Sequence, residues 1–544
     1  MALHFATIWE AVADRTPERP AVICEGQIRR WGEYENRAAR LASALTDAGL
    51  GPGSKVGLYM HNSIEYLEAQ FAVFKIGGCP INVNYRYKAD ELVYLLDNSD
   101  AEALVFQSSY AMRIWEIRER LPDIKLYLQV DDGSAEVLLD FATAYETVAR
   151  TQAPMPRRQQ EPGGVYMLYT GGTTGMPKGV MYDVAGFCSG LMAIGAGGLG
   201  LAPPTSMSEY QQLLDKVDNP PVNLPAAPMM HGTGMWLGCM VPHALGGTVV
   251  ATSKLGLDAD LIWQLAQEHQ VTDLVIVGDA FAKPLLGALS EAAEQARPYR
   301  PAQLQQIISS GVMWSAEVKQ ALLEHLDCAL VDIMGSSEGG MGMSVMTREL
   351  AADAAVPTAQ FALNEGVKIF NDLDQEVLPG SDDIGMIATS GMVPLGYYKD
   401  DAKSQATFRE IDGVRYSFPG DFASVAADGT VTLLGRGSAC INTAGEKVFP
   451  EEVEEALKKH PQVYDTLVVG LPDERFGQRV VAVVSGVPGA ELAPAQLVEF
   501  AREHLAGYKV PKQVLSVAQV RRAPNGKADY KWARQVAEDS LQSV

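Results

Sequence analysis

Twelve residues, YTGGTTGMPKGV (Tyr169–Val180), hold four glycines, three threonines and one lysine directly after the apolar run 165–168. A turn of this composition frees backbone N–H groups and hydroxyls to converge on phosphate oxygens, and Lys178 adds a mobile positive charge. It is not the common phosphate loop, which has four residues between its first glycine and a Gly-Lys-Ser/Thr triplet that opens a helix. Here Pro177 precedes Lys178, and a residue before proline is pushed out of helical geometry. Taken alone, the segment could also be an ordinary glycine-rich connection. A second cluster, GAGGLG (195–200), formally matches the dinucleotide fingerprint, which must open a helix. Pro203 and Pro204 follow almost at once, so the spacing predicts a loop there instead.

The string T-G-G-T-T-G-x-P-K-G (170–179) resembles the signature of the adenylate-forming superfamily, which includes acyl-CoA synthetases, amino-acid adenylation domains and firefly luciferases. The resemblance implies that Thr170, Gly171, Gly172, Thr173, Thr174, Gly175 and Lys178 hold the β- and γ-phosphates of ATP. In DIMGSSEGG (332–340) it implies a nucleotide site along Met334, Gly335, Ser336 and Ser337, with Ser337 touching the substrate carboxylate or α-phosphate. Glu338 would act in catalysis by holding Mg²⁺ on the phosphates, the usual economy of one carboxylate plus phosphate oxygens for this ion. Met334 stands where the family has an aromatic residue over the adenine. SSGVMWS (309–315) resembles the segment whose backbone lines the adenine pocket, through Gly311 and Val312. YSFPGDFA (416–423) would bring Asp421 to the ribose hydroxyls, with Pro419 in place of the usual threonine, and LLGR (433–436) would add Arg436. RRAPNGKADYKW (521–532) resembles the final motif, with Lys527 as the catalytic lysine. GEKVFPEEVE (445–454) implies that Gly445 lies where the pantetheine of CoA reaches the site, because backbone must approach a ligand closely there. Ser438 occupies the family's pivot by position only, since Asp or Lys is usual.

The chemistry implied has two steps. A carboxylate is a poor electrophile, so its oxygen first attacks the α-phosphorus of ATP to give an acyl-adenylate and pyrophosphate. A CoA thiol then takes the acyl group and releases AMP. Charge gathering between two anions in the first step calls for preorganised donors in a dry site. PAAPMMHGTGMW (225–236) resembles the acyl-site segment, with His231 as a catalytic residue beside the carboxylate; a hydrogen-bonded core histidine is the plain alternative. No aspartate stands there to bind an amino group, which disfavours amino acids. Met229, Met230, Met235, Met313, Met334, Met341 and Met343, with Trp236 and Trp314, are expected near this pocket as an adaptable apolar wall, with ordinary core filling by methionine as the equal alternative. Across the chain the texture is similar to bacterial fatty-acyl-CoA synthetases, including the actinobacterial branch acting on very-long-chain or steroid side-chain acids. The expected substrate is a fatty or bulky alicyclic acid. Its rivals are an aryl or aryl-propenoyl acid in the same mechanism, or a non-catalytic acyl- or nucleotide-binding relative. CoA and a carrier-protein pantetheine stay open as acceptor.

Segments spread over 350 residues must be gathered by the fold, and at 544 residues one hydrophobic core is not expected to suffice. Apolar runs such as 55–60 and 103–107 read as strands between helical patterns such as 34–50 and 63–78, which implies parallel sheets covered on both faces. The texture turns to short strands with Gly/Asp turns over 361–435, then to a compact α+β pattern. The predicted fold is α/β: a large N-terminal domain (1–436) with doubly wound sheets plus a small β unit, followed by a small mobile α+β C-terminal domain (437–544). A formal charge of −23 repels nucleic acid phosphates, so small molecules are the expected partners. A homodimer is compatible with all of this. Six scattered cysteines without metal-ligand spacing suit a reduced, cytoplasmic chain. Glu10 and Asp14 come too early for a signal peptide. The most apolar window, 229–251, carries His231, Pro242 and His243 and reads as buried core rather than a membrane span.

Overall fold

Runs of Val, Ile, Leu and Ala that are apolar on consecutive residues suit strands buried on both faces, and these runs supply the chain's parallel strands. The computed structural model describes residues 3–134, 137–171, 176–312, 314–353, 360–381, 383–443, 446–473, 477–523 and 526–542. Among these, one parallel sheet orders its strands Cys79–Asn82, Lys55–Tyr59, Ala101–Gln107, Leu126–Val130 and Thr143–Ala144. A second runs parallel from Pro20–Cys24 through Thr248–Ala251, Val222–Pro225, Asp273–Ile276 and Gln306–Ser310 to Ala329–Ser336. The helix Ile64–Lys75 shows how local signals set the elements: Ser63 caps it through Tyr66 N–H at 3.2 Å, and Gly77 follows its end with φ +72°.

The β-rich region after residue 360 is not a detached unit. Strand Ala329–Ser336 pairs antiparallel with Gly339–Met346, which pairs with Gln360–Leu363, and the ladder continues through Val431–Arg436 and Asp421–Val425. The parallel sheet and the antiparallel strands therefore form one continuous hydrogen-bonded array. A third, small sheet is the hairpin Val165–Thr170 and Lys178–Asp183 with Gly396–Tyr397 on its edge. The glycine-threonine segment is the connection of that hairpin, and Lys178 opens a strand, not a helix.

One expectation needs correction. GAGGLG is not a loop through its whole length, because the helix Val184–Gly198 runs into it and ends near Leu199. Pro203 lies too far beyond the last turn to break it, and Gly195 is packed beneath Leu245 and Val241. The segment closes a helix instead of opening one, so no dinucleotide fingerprint results. Residues 229–251 divide into a π-helical turn Thr233–Met240, a short helix Val241–Ala244 and the strand Thr248–Ala251. Among the described residues no helix is long and apolar enough to cross a membrane.

The chain leaves the large array at Arg436 and enters a separate sheet at Ile441. That sheet holds Ile441–Thr443, Glu446–Val448, Val463–Asp473, Gly477–Gly486 and Gln513–Val517. Its two faces carry their own cores, Val453, Leu457, Val468 and Leu497 on one side, Leu467, Val481, Val483 and Ala533 on the other. A body with its own core can move as a unit.

Candidate active site

A cavity of ≈ 990 Å³ opens at the carboxyl ends of Gln306–Ser310 and Ala329–Ser336, between the large array, the hairpin and the C-terminal body. This is where open α/β sheets place their ligands. Thr170, Gly171 and Lys178 line it from the hairpin. Gly172, Thr173, Thr174 and Gly175 lie outside the described residues. Lys178 Nζ stands 3.3 Å from Asp400 and 5.4 Å from the Tyr397 ring centroid. Both charges of that pair are about one-third exposed, so it is worth under ~1 kcal/mol and an incoming phosphate displaces it at little cost.

Glu338 sits in a turn closed by its own N–H donating to Ser336 Oγ at 3.1 Å. Its carboxylate is held at both oxygens: the Tyr397 hydroxyl donates to Oε1 at 2.8 Å and the Ser337 hydroxyl to Oε2 at 3.0 Å. Tyr182 donates to the Ser337 carbonyl at 2.8 Å, tying this turn to the hairpin. Gly335, Ser336 and Ser337 line the same cavity, as do Gly311 and Val312 from the neighbouring strand end. Met334 also borders it, but packs into the apolar cluster of Met341, Phe361 and Ile387. Asp421 and Arg436 are register partners on adjacent strands, with Nε–Oδ1 at 3.3 Å.

His231 and Lys527 come from opposite walls. The peptide N–H of His231 donates to Pro228 at 3.1 Å, and its carbonyl accepts from Met235 at 2.9 Å. Its Nε2 is shut off from solvent without a hydrogen-bond partner. Burial first, then the nearby Lys527 charge, lowers its pKa to about 3, so the ring is neutral at every working pH. His243 shows the contrasting, satisfied case: its Nε2 meets the Ala21 carbonyl at 3.0 Å within the core. Lys527 lines the cavity with a solvent-exposed side chain. Partial desolvation by the surrounding walls, followed by Arg436, holds its ammonium below the ordinary lysine value, while Glu338 and Asp421 act the other way. Lys527, His231, Glu338, Asp421 and Arg436 are thus brought to one cavity from five separate stretches of sequence. Gly445 lies outside the described residues, and Ser438 falls in the short turn Gly437–Ala439 between the two bodies.

The methionine wall differs from expectation. Met229, Met230 and Met235 are buried in the cores behind the cavity, Trp314 is fully buried under Lys319, and Met343 is 45% exposed on the outer surface. Met313 lies outside the described residues. The thioethers bordering the cavity are Met176, Met334, Met341, Met386 and Met392, with Trp236. Met229 and Met230 precede the π-helical turn Thr233–Met240 and Met235 lies within it, and all three are packed into core.

Three supporting residues carried no sequence signal. Tyr397 holds Glu338, as described. Asn82 binds both the N–H and carbonyl of Tyr169, at 2.7 and 2.8 Å, and the Met230 carbonyl at 2.7 Å, so it staples the root of the hairpin to the residue before His231. Asn62 accepts from Met229 N–H at 2.7 Å. Each acts on backbone far away in the chain, and no local pattern betrays that.

A model of the AMP-binding enzyme family matches residues 9–398, and one of the AMP-binding enzyme C-terminal domain matches residues 452–527. The chain is 41% identical to a 3-oxocholest-4-en-26-oate–CoA ligase of Rhodococcus rhodochrous, over 98% of this chain and 96% of that protein. It is 40% identical to a medium/long-chain-fatty-acid–CoA/3-oxocholest-4-en-26-oate–CoA ligase of Mycolicibacterium smegmatis, over 99% and 97%. Its fold is similar to that of an anthranilate CoA ligase solved with anthranoyl-AMP, with a TM-score of 0.84, 20% identity and coverage of 99% and 98%.

Proposed function

We propose, from the premise that this chain belongs to the AMP-binding enzyme family, that it is an ATP-dependent acyl-CoA synthetase for hydrophobic carboxylic acids of the fatty or steroid side-chain class. It is an acid–thiol ligase with ATP and CoA as substrates. The observation that carries the reading is the convergence on one cavity of a buried neutral histidine, a carboxylate held at both oxygens and a lysine delivered by a separately cored body. An aryl acid is not favoured, because the relatives at 40% identity are named for steroid and fatty acids.

In the first half-reaction a carboxylate oxygen attacks the α-phosphorus, the bond to the β-phosphate oxygen breaks, and pyrophosphate leaves. The Nε2 of His231, with no protein partner, is suited to a hydrogen bond from neutral imidazole to the carboxylate, which fixes the acid without adding charge. Lys527 supplies the positive charge between the carboxylate and the α-phosphate. Asp421 accepts from the ribose hydroxyls, Arg436 supports it, and Thr170, Gly171 and Lys178 face the outer phosphates. In the second half-reaction the thiol sulfur attacks the acyl carbonyl, the bond to the phosphate oxygen breaks, and AMP departs.

Magnesium fits as a companion of the nucleotide. Glu338 offers one oriented carboxylate, and among the described residues no cluster of three or more His, Cys, Asp or Glu forms a cage of its own. When bound, the ion would neutralise phosphate charge beside Glu338. We take residues 1–436 and 437–544 as the two bodies that rearrange between half-reactions, turning about the Ser438 region, with the pantetheine arm approaching near Gly445. Six unpaired cysteines suit a reducing, cytoplasmic setting.

The test is a panel of aliphatic, steroidal and aromatic acids, read by acid-dependent exchange of pyrophosphate into ATP and by AMP formation with CoA. Long aliphatic or steroidal acids should lead it. Exchange with no acid, or with aromatic acids alone, would refute the reading.

A further inference from the structure

The hairpin that carries Lys527 is stapled from within its own domain. Arg522 donates from Nε and Nη2 to the Asp465 carboxylate at 2.7 Å each, and from Nη1 to the Gly526 carbonyl at 3.2 Å. Arg522 and Ala528 face each other as a bridge, and Ala523 N–H donates to the Lys527 carbonyl at 2.8 Å. A bidentate pair fixes orientation as well as distance, so the placement of Lys527 follows that of Asp465.

Tyr464, the neighbour of Asp465, makes the next link. Val463 opposes Gly486 and Asp465 opposes Ser485, which leaves Tyr464 as the extra residue of a bulge. Such a residue leaves the ladder and re-aims its groups. Its carbonyl accepts a hydrogen bond from Lys283 Nζ at 2.5 Å, across the boundary between the two bodies. The same ammonium lies 5.0 Å from the Tyr464 ring centroid and 3.7 Å from Asp279. Asp279 is itself fixed by the Ser315 N–H at 2.9 Å and hydroxyl at 3.0 Å.

Lys283 and Asp279 occupy successive turns of the helix Gly278–Glu294. The start of that helix also meets the lysine-bearing turn. Gly526 has φ +72°, and a Cβ there would lie 3.0 Å from Ala280 Cβ and 3.2 Å from the Val277 carbonyl. One helix end therefore touches the C-terminal body at two points, on either side of the Arg522–Asp465 staple.

We infer that Lys283 is a positioning residue for adenylate formation: it docks the bulge at Tyr464 and so seats Lys527 in the cavity. It does not border the cavity itself. The inference rests on the two-half-reaction reading above. The contact belongs to one orientation of the C-terminal body and breaks when that body turns to admit the thiol. Loss of Lys283 therefore penalises the first half-reaction and spares the second.

The experiment measures both half-reactions in the full-length enzyme, with the acid selected by the panel above and its chemically prepared acyl-AMP. Lys283→Ala should lower pyrophosphate exchange by about tenfold to a hundredfold, the range for a small misplacement of a reacting group. Thioester formation from supplied acyl-AMP and the melting temperature should stay as in the parent. Lys283→Arg, which keeps a donor for the carbonyl, should recover most of the exchange, and Gly526→Ala should reproduce the defect. Unchanged exchange in Lys283→Ala, alongside its abolition in Lys527→Ala, overturns the inference and leaves the function standing. Equal loss of both half-reactions with a lowered melting temperature overturns it too, as a merely structural effect. Absence of exchange in the parent enzyme overturns the functional reading and the inference together.

Discussion

Lys527 and His231 carry opposite electrostatic roles, and their titration separates them. Desolvation by the cavity walls, followed by Arg436, lowers the Lys527 pKa, so its charged form is present below that pKa and lost as pH rises through it. Seating the ammonium costs stability in the acid-to-neutral range, where it must stay charged. Adenylate formation in free enzyme should therefore show an alkaline limb below the ordinary lysine value of 10.5. Bound ATP, being anionic, should move the limb upward, and Lys527→Arg should remove it; a limb unmoved by that substitution would reject the assignment. His231, with a pKa of about 3, contributes no inflection between pH 5 and 9. His231→Ala should raise KM for the acid by about tenfold or more, the cost of leaving a buried charge short of one hydrogen bond. His231→Gln, which retains an N–H donor, should restore part of it. A pH–rate profile whose acid limb disappears in His231→Gln would contradict a neutral imidazole.

At the scale of elements, the helix Val184–Gly198 forms part of the cavity wall. Leu191 and Ile194 border the cavity from this helix, and Gly190 leaves space for Met392, which also borders the cavity. A Cβ at Gly190 would fall 2.2 Å from Met392 Sδ, so the thioether must move. Because it is the flexible end of a side chain, it can move at small cost in stability. Gly190→Ala should shift selection from steroidal towards shorter aliphatic acids by about tenfold in kcat/KM, the worth of one or two methylenes in an apolar pocket. Met392→Ala in that background should reverse the shift. An identical acid profile in all three enzymes would show that this wall does not meet the substrate. The strand Gly396–Tyr397 works similarly at the other end: by pairing with Val180 and Met181 it brings the Tyr397 hydroxyl to Glu338.

At the scale of the whole molecule, the C-terminal body has two cores of its own. Two unfolding transitions are expected in calorimetry. Arg522→Met removes one partner of a pair whose side chains are only 15% and 16% exposed, which strands the Asp465 carboxylate. It should lower the smaller transition by about 3 kcal/mol and leave the larger one in place. A single transition, or equal displacement of both, would show that the two bodies fold as one.

The sequence by itself determined the chemistry of the chain and the identity of its strands, because both are written locally. A glycine-threonine turn before Pro177, a serine-glutamate pair after a buried strand and a glycine-lysine turn near the end keep their types and order whatever surrounds them. Strand runs and the Ser63 cap are likewise short-range. Only the tertiary structure decided that the β-rich region joins the parallel sheet and that Met229, Met230 and Met235 turn away from the cavity. It also decided that His231 lacks a partner while His243 has one, although both stand in one apolar segment. Those outcomes depend on groups distant in the chain, such as Asn82, Tyr397 and Lys283. A side chain's burial, partner and pKa are set by what packs against it in space, and that is not encoded at its own position.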